Sequence, residues 1–287
     1  NKRENHMQRG ISYWSFKNGM DHTHPIADAL KEARQAGFEA LELCIAETGV
    51  LNVKSTKKEC TEIRKLIEDS GLVVDSVASG LSWTYSPTHP DAAIRRKAVA
   101  LQKAALLRCA WLGCRSLLLV PGAVRIPWDP GSPSVPYEQA VVNAAKCVRE
   151  MLKTAEKYDV EICVENVWNG MFYSPLEFRT FIDVFESPLV KAYFDIGNVL
   201  GYHQDPADWI RLLGPRIGRV HAKDFKRDVG TLAGFCDLGK GDVCWPEVAA
   251  ALRKAGYKRT VIAEMTTWRP GLIKRTAKAL KELIPAE

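Results

Sequence analysis

Four residues of metal-binding type end or follow short apolar runs in the second half of the chain. They are Glu165, Asp195, His221 and Glu264, and successive members are 30, 26 and 43 residues apart. Steps of about this size correspond to one strand–helix unit, so the four side chains would meet at one end of neighbouring strands. One imidazole and three carboxylates suit Mn²⁺, Mg²⁺ or Co²⁺ better than a structural zinc ion. The pattern predicts a site for one divalent ion, with Mn²⁺ the expected metal and Zn²⁺ also compatible.

The elements that would position these residues alternate regularly along the chain. Eight short apolar runs of β type are separated by longer segments with helical periodicity. The predicted strands are residues 11–16, 40–45, 73–78, 116–120, 161–165, 192–195, 218–222 and 260–264. One of the helical segments has Val141, Ala145, Val148, Leu152 and Ala155 on a single stripe, as expected of a helix with one buried face.

Eight strand–helix units without a long linker predict a single (β/α)8 TIM barrel over residues 8–287. A doubly wound sheet generally has five or six strands, and no glycine-rich phosphate loop follows the first strand. The polar segment 1–7 is set aside as a disordered or non-native N-terminal extension. Chemistry in such a barrel takes place at the carboxyl ends of the strands, where the four metal-type residues fall.

The composition excludes several other classes of protein. The 287 residues are 46% hydrophobic and 26% charged, which is typical of a globular protein. No apolar run approaches the roughly 20 residues of a membrane helix, and no secretory segment is expected. The net charge of +6 comes from scattered Lys and Arg residues, so a nucleic-acid surface is not predicted. The eight cysteines form no CxxC pair, as expected of reduced thiols in a cytoplasmic protein.

Four segments of the chain resemble the sugar phosphate isomerase/epimerase family. They are VENVWN (164–169), YFDIGN (193–198), VHAKDF (220–225) and GKGDVCW (239–245), and the resemblance extends from Trp14 to Glu264. The family has a xylose-isomerase-like barrel and includes ketose 3-epimerases and hexulose-phosphate isomerases. The resemblance implies that Glu165, Asp195, His221 and Glu264 are metal ligands, the same four residues that the strand ends indicate.

The resemblance also implies a mechanism in which Glu165 and Glu264 form the catalytic acid/base pair. In the family, a divalent ion binds the carbonyl and adjacent hydroxyl oxygens of a ketose and stabilises a cis-enediolate. One carboxylate removes the α-proton and the other returns a proton, at the opposite face in an epimerisation. The expected substrate is a small carbohydrate or sugar phosphate. The expected protein is cytoplasmic, binds neither nucleic acid nor membrane, and forms a homodimer or homotetramer.

A basic cluster near the seventh strand is a candidate for binding phosphate. It consists of Lys223, Lys226 and Arg227, and basic side chains of this kind bind phosphate oxygens well. Arg227 also matches a substrate-contacting arginine of the free-sugar 3-epimerases. The alternative is a solvated loop in which neighbouring aspartates pair with these charges.

Other substrate contacts are expected around the barrel mouth. Glu47 follows the second strand and is placed to bind sugar hydroxyls, Trp14 ends the first strand and could pack on a sugar face, and Asn169 could orient a hydroxyl. Asn198 and Met171 mark departures from the free-sugar 3-epimerases, which have His and Glu at these positions. Both departures weaken an assignment to that subgroup.

Two further functions remain open on the same barrel. One is a cyclitol dehydratase of the inosose type, which also begins by enolisation beside a metal. The other is a sugar-binding barrel without catalysis. A nuclease for abasic DNA shares the barrel but needs extra histidine ligands, and residues 73–78 and position 198 contain none.

Overall fold

The structure is a computed structural model that describes residues 6–285. Of the segment set aside above, residues 1–5 therefore lie outside the described residues. Met7 is buried against the core, and His6 Nε2 lies 3.3 Å from Glu39 Oε1. The packing of the barrel thus includes residues before position 8.

Eight parallel strands close into one barrel, and each strand pairs with the next along the chain. The strands are β1 (Gln8–Ser12), β2 (Ala40–Ile45), β3 (Ser76–Ser79), β4 (Ser116–Leu119), β5 (Glu161–Glu165), β6 (Val190–Asp195), β7 (Ile217–Ala222) and β8 (Thr260–Ala263). The ring closes where Ile11 of β1 lies opposite Ala263 of β8. The predicted (β/α)8 fold is confirmed.

Helices connect the strands, as the parallel order requires. They are α1 (Ile26–Ala36), α2 (Lys57–Ser70), the single turn α3 (Leu81–Thr84), α4 (Ala92–Leu112), α5 (Tyr137–Tyr158), α6 (Pro175–Asp183), α7 (Pro206–Leu213), α8 (Trp245–Lys254) and α9 (Leu272–Leu283). Gly37 and Gly71 end α1 and α2 in the left-handed conformation, which glycine adopts at little cost. Among the described helices, none has both the length and the apolar character needed to cross a membrane.

The first and third strands differ most from the prediction. β1 runs from Gln8 to Ser12, so Trp14 lies beyond it in a 3-10 turn. The shift in the bounds of β1 comes from Gly10. A glycine usually indicates the boundary of a strand, but Gly10 lies inside β1. A Cβ at this position would approach Ile262 Cδ1 to 2.5 Å and Ala40 Cβ to 2.9 Å. Glycine therefore allows the close contacts of β1 with β8 and β2, and the strand begins earlier than its apolar run.

Candidate active site

The structure brings the four metal-type residues together at the carboxyl end of the barrel. Glu165 and Asp195 end β5 and β6, His221 is the penultimate residue of β7, and Glu264 directly follows β8. One ligand atom from each lies within 4.8 Å of the others, and all four residues are buried. His221 Nδ1 is 3.1 Å from Glu264 Oε2, 3.5 Å from Glu165 Oε1 and 4.0 Å from Asp195 Oδ2.

Three buried atoms in this cluster make no hydrogen bond of acceptable geometry with the described residues. They are Asp195 Oδ2, His221 Nδ1 and Glu264 Oε2. Buried polar atoms without a well-directed hydrogen bond are rare in folded proteins, and the Lys223 ammonium beside two of these oxygens supplies a charge but no such bond. A divalent cation between them would satisfy all three, and the donor set is one that such ions accept. The residues therefore fit a divalent metal ion.

Lys223, one of the residues predicted to bind phosphate, contacts the same cluster. Its Nζ lies 2.6 Å from Glu264 Oε2 and 3.1 Å from Asp195 Oδ2. Burial opposes ionisation of Glu264, but the charges of Lys223 and His221 outweigh it and lower its pKa to about 2. For Glu165 burial dominates instead and raises the pKa to about 7. The two glutamates thus occupy different electrostatic environments.

A buried glutamate that the sequence analysis did not identify holds the histidine. Glu42 of β2 is fully buried, and its Oε1 lies 2.9 Å from His221 Nε2. Ser76 Oγ donates to Glu42 Oε2 at 3.1 Å, and the Tyr193 hydroxyl donates to the same oxygen. A proton on Nε2 that is donated to Glu42 leaves Nδ1 free to bind a metal. The sequence signal that could have identified Glu42 is its position as the one charged residue in the otherwise apolar segment of β2.

Two asparagines fix the remaining carboxylate. Asn166 Oδ1 accepts a hydrogen bond from the backbone N–H of Asp195 at 2.8 Å, and Asn166 Nδ2 donates to Asp195 O at 2.9 Å. The backbone N–H of Asn198 donates to Asp195 Oδ1 at 2.9 Å. Asn166 thus holds the backbone of Asp195, and the Asn198 N–H holds its Oδ1, which leaves Oδ2 directed at the cluster.

Asn169 and Arg227, two predicted substrate contacts, do not line the cavity above the cluster. The Asn169 side chain donates to Gly122 O at 2.7 Å and accepts from the N–H of Met171 at 3.0 Å, so it joins two loops. Arg227 is exposed, and its Nη2 donates to Gln204 O at 3.4 Å. The chain after His221 forms a small hairpin of residues 224–225 and 235–236, and Arg227 lies in the loop between its two strands. Of the three basic residues predicted to bind phosphate, Lys223 lines the cavity and Lys226 and Arg227 do not; their role in binding phosphate stays a prediction.

Trp14, Glu47 and Asn198 do line the cavity, together with Lys223 and the two glutamates of the cluster. The cavity has a volume of about 900 Å³. Glu47 Oε1 lies 3.4 Å from Lys97 Nζ at the rim. Aromatic rings from several loops form much of the wall: Trp14, Trp83, Trp128, Trp168 and Phe235. Local sequence patterns do not connect Trp83 or Trp128 with Trp14, because they carry no signal for contact between separate loops.

Fold and site together define a class of protein: a TIM barrel with a candidate divalent-metal centre on strands five to eight. Residues 30–283 match the family model described as the xylose isomerase-like TIM barrel. Since this match covers most of the chain, the protein belongs to that family.

Named relatives are similar over most of their length. D-psicose 3-epimerase of Enterocloster bolteae is 26% identical over 263 residues, which cover 87% of this chain and 79% of the relative. L-ribulose-5-phosphate 3-epimerase UlaE of Salmonella paratyphi C is 20% identical over 245 residues, which cover 83% of this chain and 81% of the relative. A crystal structure of D-psicose 3-epimerase in the presence of D-fructose superposes with a TM-score of 0.76 and 21% identity, covering 95% and 90% of the two chains. The structural similarity shows a common fold.

Proposed function

We propose that the protein is a divalent-metal-dependent epimerase or isomerase of a ketose or ketose phosphate, with 3-epimerisation as the leading reaction. The observation that carries the proposal is the cluster of Glu165, Asp195, His221 and Glu264, with three buried atoms that lack hydrogen-bond partners. Similar proteins named as 3-epimerases support the same reaction. Mn²⁺ is the proposed metal because three carboxylates and one imidazole suit it.

Glu165 and Glu264 are proposed as the catalytic residues that move the proton. They lie at the two ends of the arc formed by β5 to β8, so they face a bound sugar from different sides. A metal bound in the cluster would polarise the substrate carbonyl and stabilise the enediolate that forms when the α-proton leaves. One glutamate accepts that proton, and the other donates a proton to the opposite face of the planar carbon.

Other cavity residues bind and orient the sugar in this proposal. Asn198 and Glu47 present polar groups to the cavity, and Trp14 presents an aromatic ring. Lys223 keeps Glu264 ionised through its ion pair. Its charge also faces the place where negative charge develops on the substrate oxygens, which favours the transition state.

Proton exchange tests this proposal directly. Wild-type protein with Mn²⁺, incubated with ketoses and ketose phosphates in D₂O, should place deuterium at carbon 3, as read by NMR. Glu165→Gln and Glu264→Gln should each lower the exchange rate by about 10²-fold or more, since each removes one proton-transfer group. Glu68→Gln alters an exposed carboxylate on α2 and should exchange at the wild-type rate.

The same measurement separates the alternatives. Loss of water from an inosose would identify a dehydratase, and binding without exchange would identify a sugar-binding protein. Wild-type exchange in either glutamine variant would refute the roles of the two glutamates.

Metal removal provides an independent test. Dialysis against a chelator should abolish exchange, and Mn²⁺, Co²⁺ or Mg²⁺ should restore it. Calorimetric titration of the metal-free protein should give one ion per chain, and His221→Ala should weaken this binding because it removes one of the four ligands. Full activity after verified metal removal, or an unchanged affinity in His221→Ala, would contradict the metal site.

A further inference from the structure

The cavity above the metal-type cluster continues outward to an apolar rim. Met20, Trp128 and Leu232 line this outer part and expose 52%, 48% and 43% of their surface. They lie in the loops that follow β1, β4 and β7. Removing apolar surface from water by binding a ligand lowers the free energy. Exposed apolar groups at the mouth of a pocket are therefore typical of a binding surface.

Two tryptophans form one wall of this outer part. The ring centroids of Trp83 and Trp128 are 4.5 Å apart, and the rings meet edge to face. Both residues line the cavity, although they come from the successive loops after β3 and β4. Such pairing restrains both rings. The faces of a sugar ring carry C–H groups and its edge carries hydroxyls, so a ring can pack against this wall and keep its hydroxyls in water.

The cavity is larger than a single sugar needs. Its volume of about 900 Å³ corresponds to roughly thirty water molecules at liquid density. A ketohexose has only about twelve non-hydrogen atoms, whereas a well-fitted site covers most of its ligand and is filled by it. A monosaccharide bound next to Glu165 and Glu264 would therefore leave the outer part unfilled.

The charges that line the cavity do not favour a phosphate there. Among the described residues, the lysines and arginines of the lining are Lys223 and Arg269. Lys223 contacts two carboxylates of the cluster, and Arg269 forms an ion pair with Asp237. Burial lowers the pKa of His22, the histidine of the lining, and so favours its neutral form. A buried anion needs a partner charge, and each cation of the lining already has one.

We propose that the outer cavity binds an uncharged second ring attached to the reacting ketose. The substrate class is a disaccharide whose reducing-end unit is a ketose with carbons 1 to 3 free. This inference rests on the proposed function. Carbons 1 to 3 lie at the metal-type cluster, and the second ring, linked through O4 or O6, packs against Trp83 and Trp128.

Calorimetry of sugar binding in the presence of Mn²⁺ tests the proposal without relying on turnover. The probes are D-fructose, D-fructose 6-phosphate, and two disaccharides with a fructose end, lactulose linked through O4 and isomaltulose linked through O6. At least one disaccharide should bind roughly tenfold more tightly than D-fructose, since a second ring covers apolar surface. D-fructose 6-phosphate should bind no more tightly than D-fructose.

Substitutions locate the effect. Trp128→Ala and, independently, Leu232→Ala should remove most of the advantage of the disaccharide and leave D-fructose binding unchanged. Trp268→Ala is the matched control, because Trp268 is also partly exposed, lies in the loop after β8 and does not line the cavity. It should retain the wild-type preference.

Several outcomes would overturn the inference. They are equal or weaker binding of both disaccharides, tighter binding of the phosphate, or a preference that survives both substitutions. A changed oligomeric state of Trp128→Ala in light scattering, with unchanged disaccharide affinity, would assign the rim to contact between two copies of the chain. Fructose exchange in D₂O without a disaccharide preference would refute this inference alone. A disaccharide preference without exchange would refute the proposed function and the reaction of the bound ketose, and it would retain only the binding of the second ring in the outer cavity.

Discussion

Two of the metal-type side chains are each held by a contact that leaves one atom free. Asp195 uses Oδ1 to accept from the N–H of Asn198, and His221 uses Nε2 in its contact with Glu42. Their other atoms, Oδ2 and Nδ1, face the cluster and make no hydrogen bond of good geometry with the described residues, although Oδ2 also lies 3.1 Å from Lys223 Nζ. The supporting contacts therefore orient the ligands and select the atom that each presents, which is how proteins tune metal affinity.

Glu42→Gln tests this orientation at the level of one residue. The change keeps the size of the side chain but removes the charge that holds the Nε2 proton of His221. We expect Mn²⁺ affinity to fall by about 10- to 100-fold and the visible absorption of the Co²⁺ form to change. Glu39→Gln is the control, because Glu39 pairs with Arg9 at the opposite end of the strands. If Glu42→Gln lowers the thermal midpoint of unfolding but leaves the metal affinity and the Co²⁺ spectrum unchanged, then Glu42 stabilises the core and does not orient His221 for metal binding.

At the scale of elements, the local sequence pattern predicts the bounds of a strand correctly where those bounds depend only on the residues of the strand itself. β2 and β5 have the predicted bounds, because each is a short, mostly apolar segment that begins a few residues after a helix ends. Prediction failed where distant packing decides. Gly10 lies inside β1 because the neighbouring strands approach closely where it has no side chain, and Arg227 lies in the loop of the hairpin after β7 and outside the lining of the cavity. The Glu42–His221 contact spans 179 residues, so local pattern does not predict it.

At the scale of the whole molecule, the two ends of the barrel differ in how their charges are satisfied. At the carboxyl end, Lys223 is shared by the carboxylates of Asp195 and Glu264, and three buried atoms of the metal-type cluster make no hydrogen bond of good geometry with the described residues. At the amino end, charges pair with one another: the buried Arg219 has its Nη2 3.0 Å from Asp75 Oδ2, and the exposed Arg259 binds both oxygens of the partly buried Glu161 at 2.5 and 2.9 Å. The amino end is therefore expected to contribute stability, and the carboxyl end chemistry.

The pairing of Glu161 predicts how stability depends on pH. Burial opposes its ionisation, but hydrogen bonds from Arg259 and Ser116 outweigh burial and lower its pKa below the ordinary 4.5. A carboxyl group whose pKa is lower in the folded state stabilises the fold above pH 4.5, and this stabilisation is lost as the pH falls below that value.

Glu161→Gln should lower the free energy of unfolding at pH 7 by about 1–3 kcal/mol and flatten its acid dependence, as measured by urea unfolding from pH 7 to 3. Glu68→Gln removes an exposed ion pair with Arg64 and should change either quantity little. An acid dependence in Glu161→Gln as steep as in the wild type would show that other carboxylates set the acid stability of the barrel.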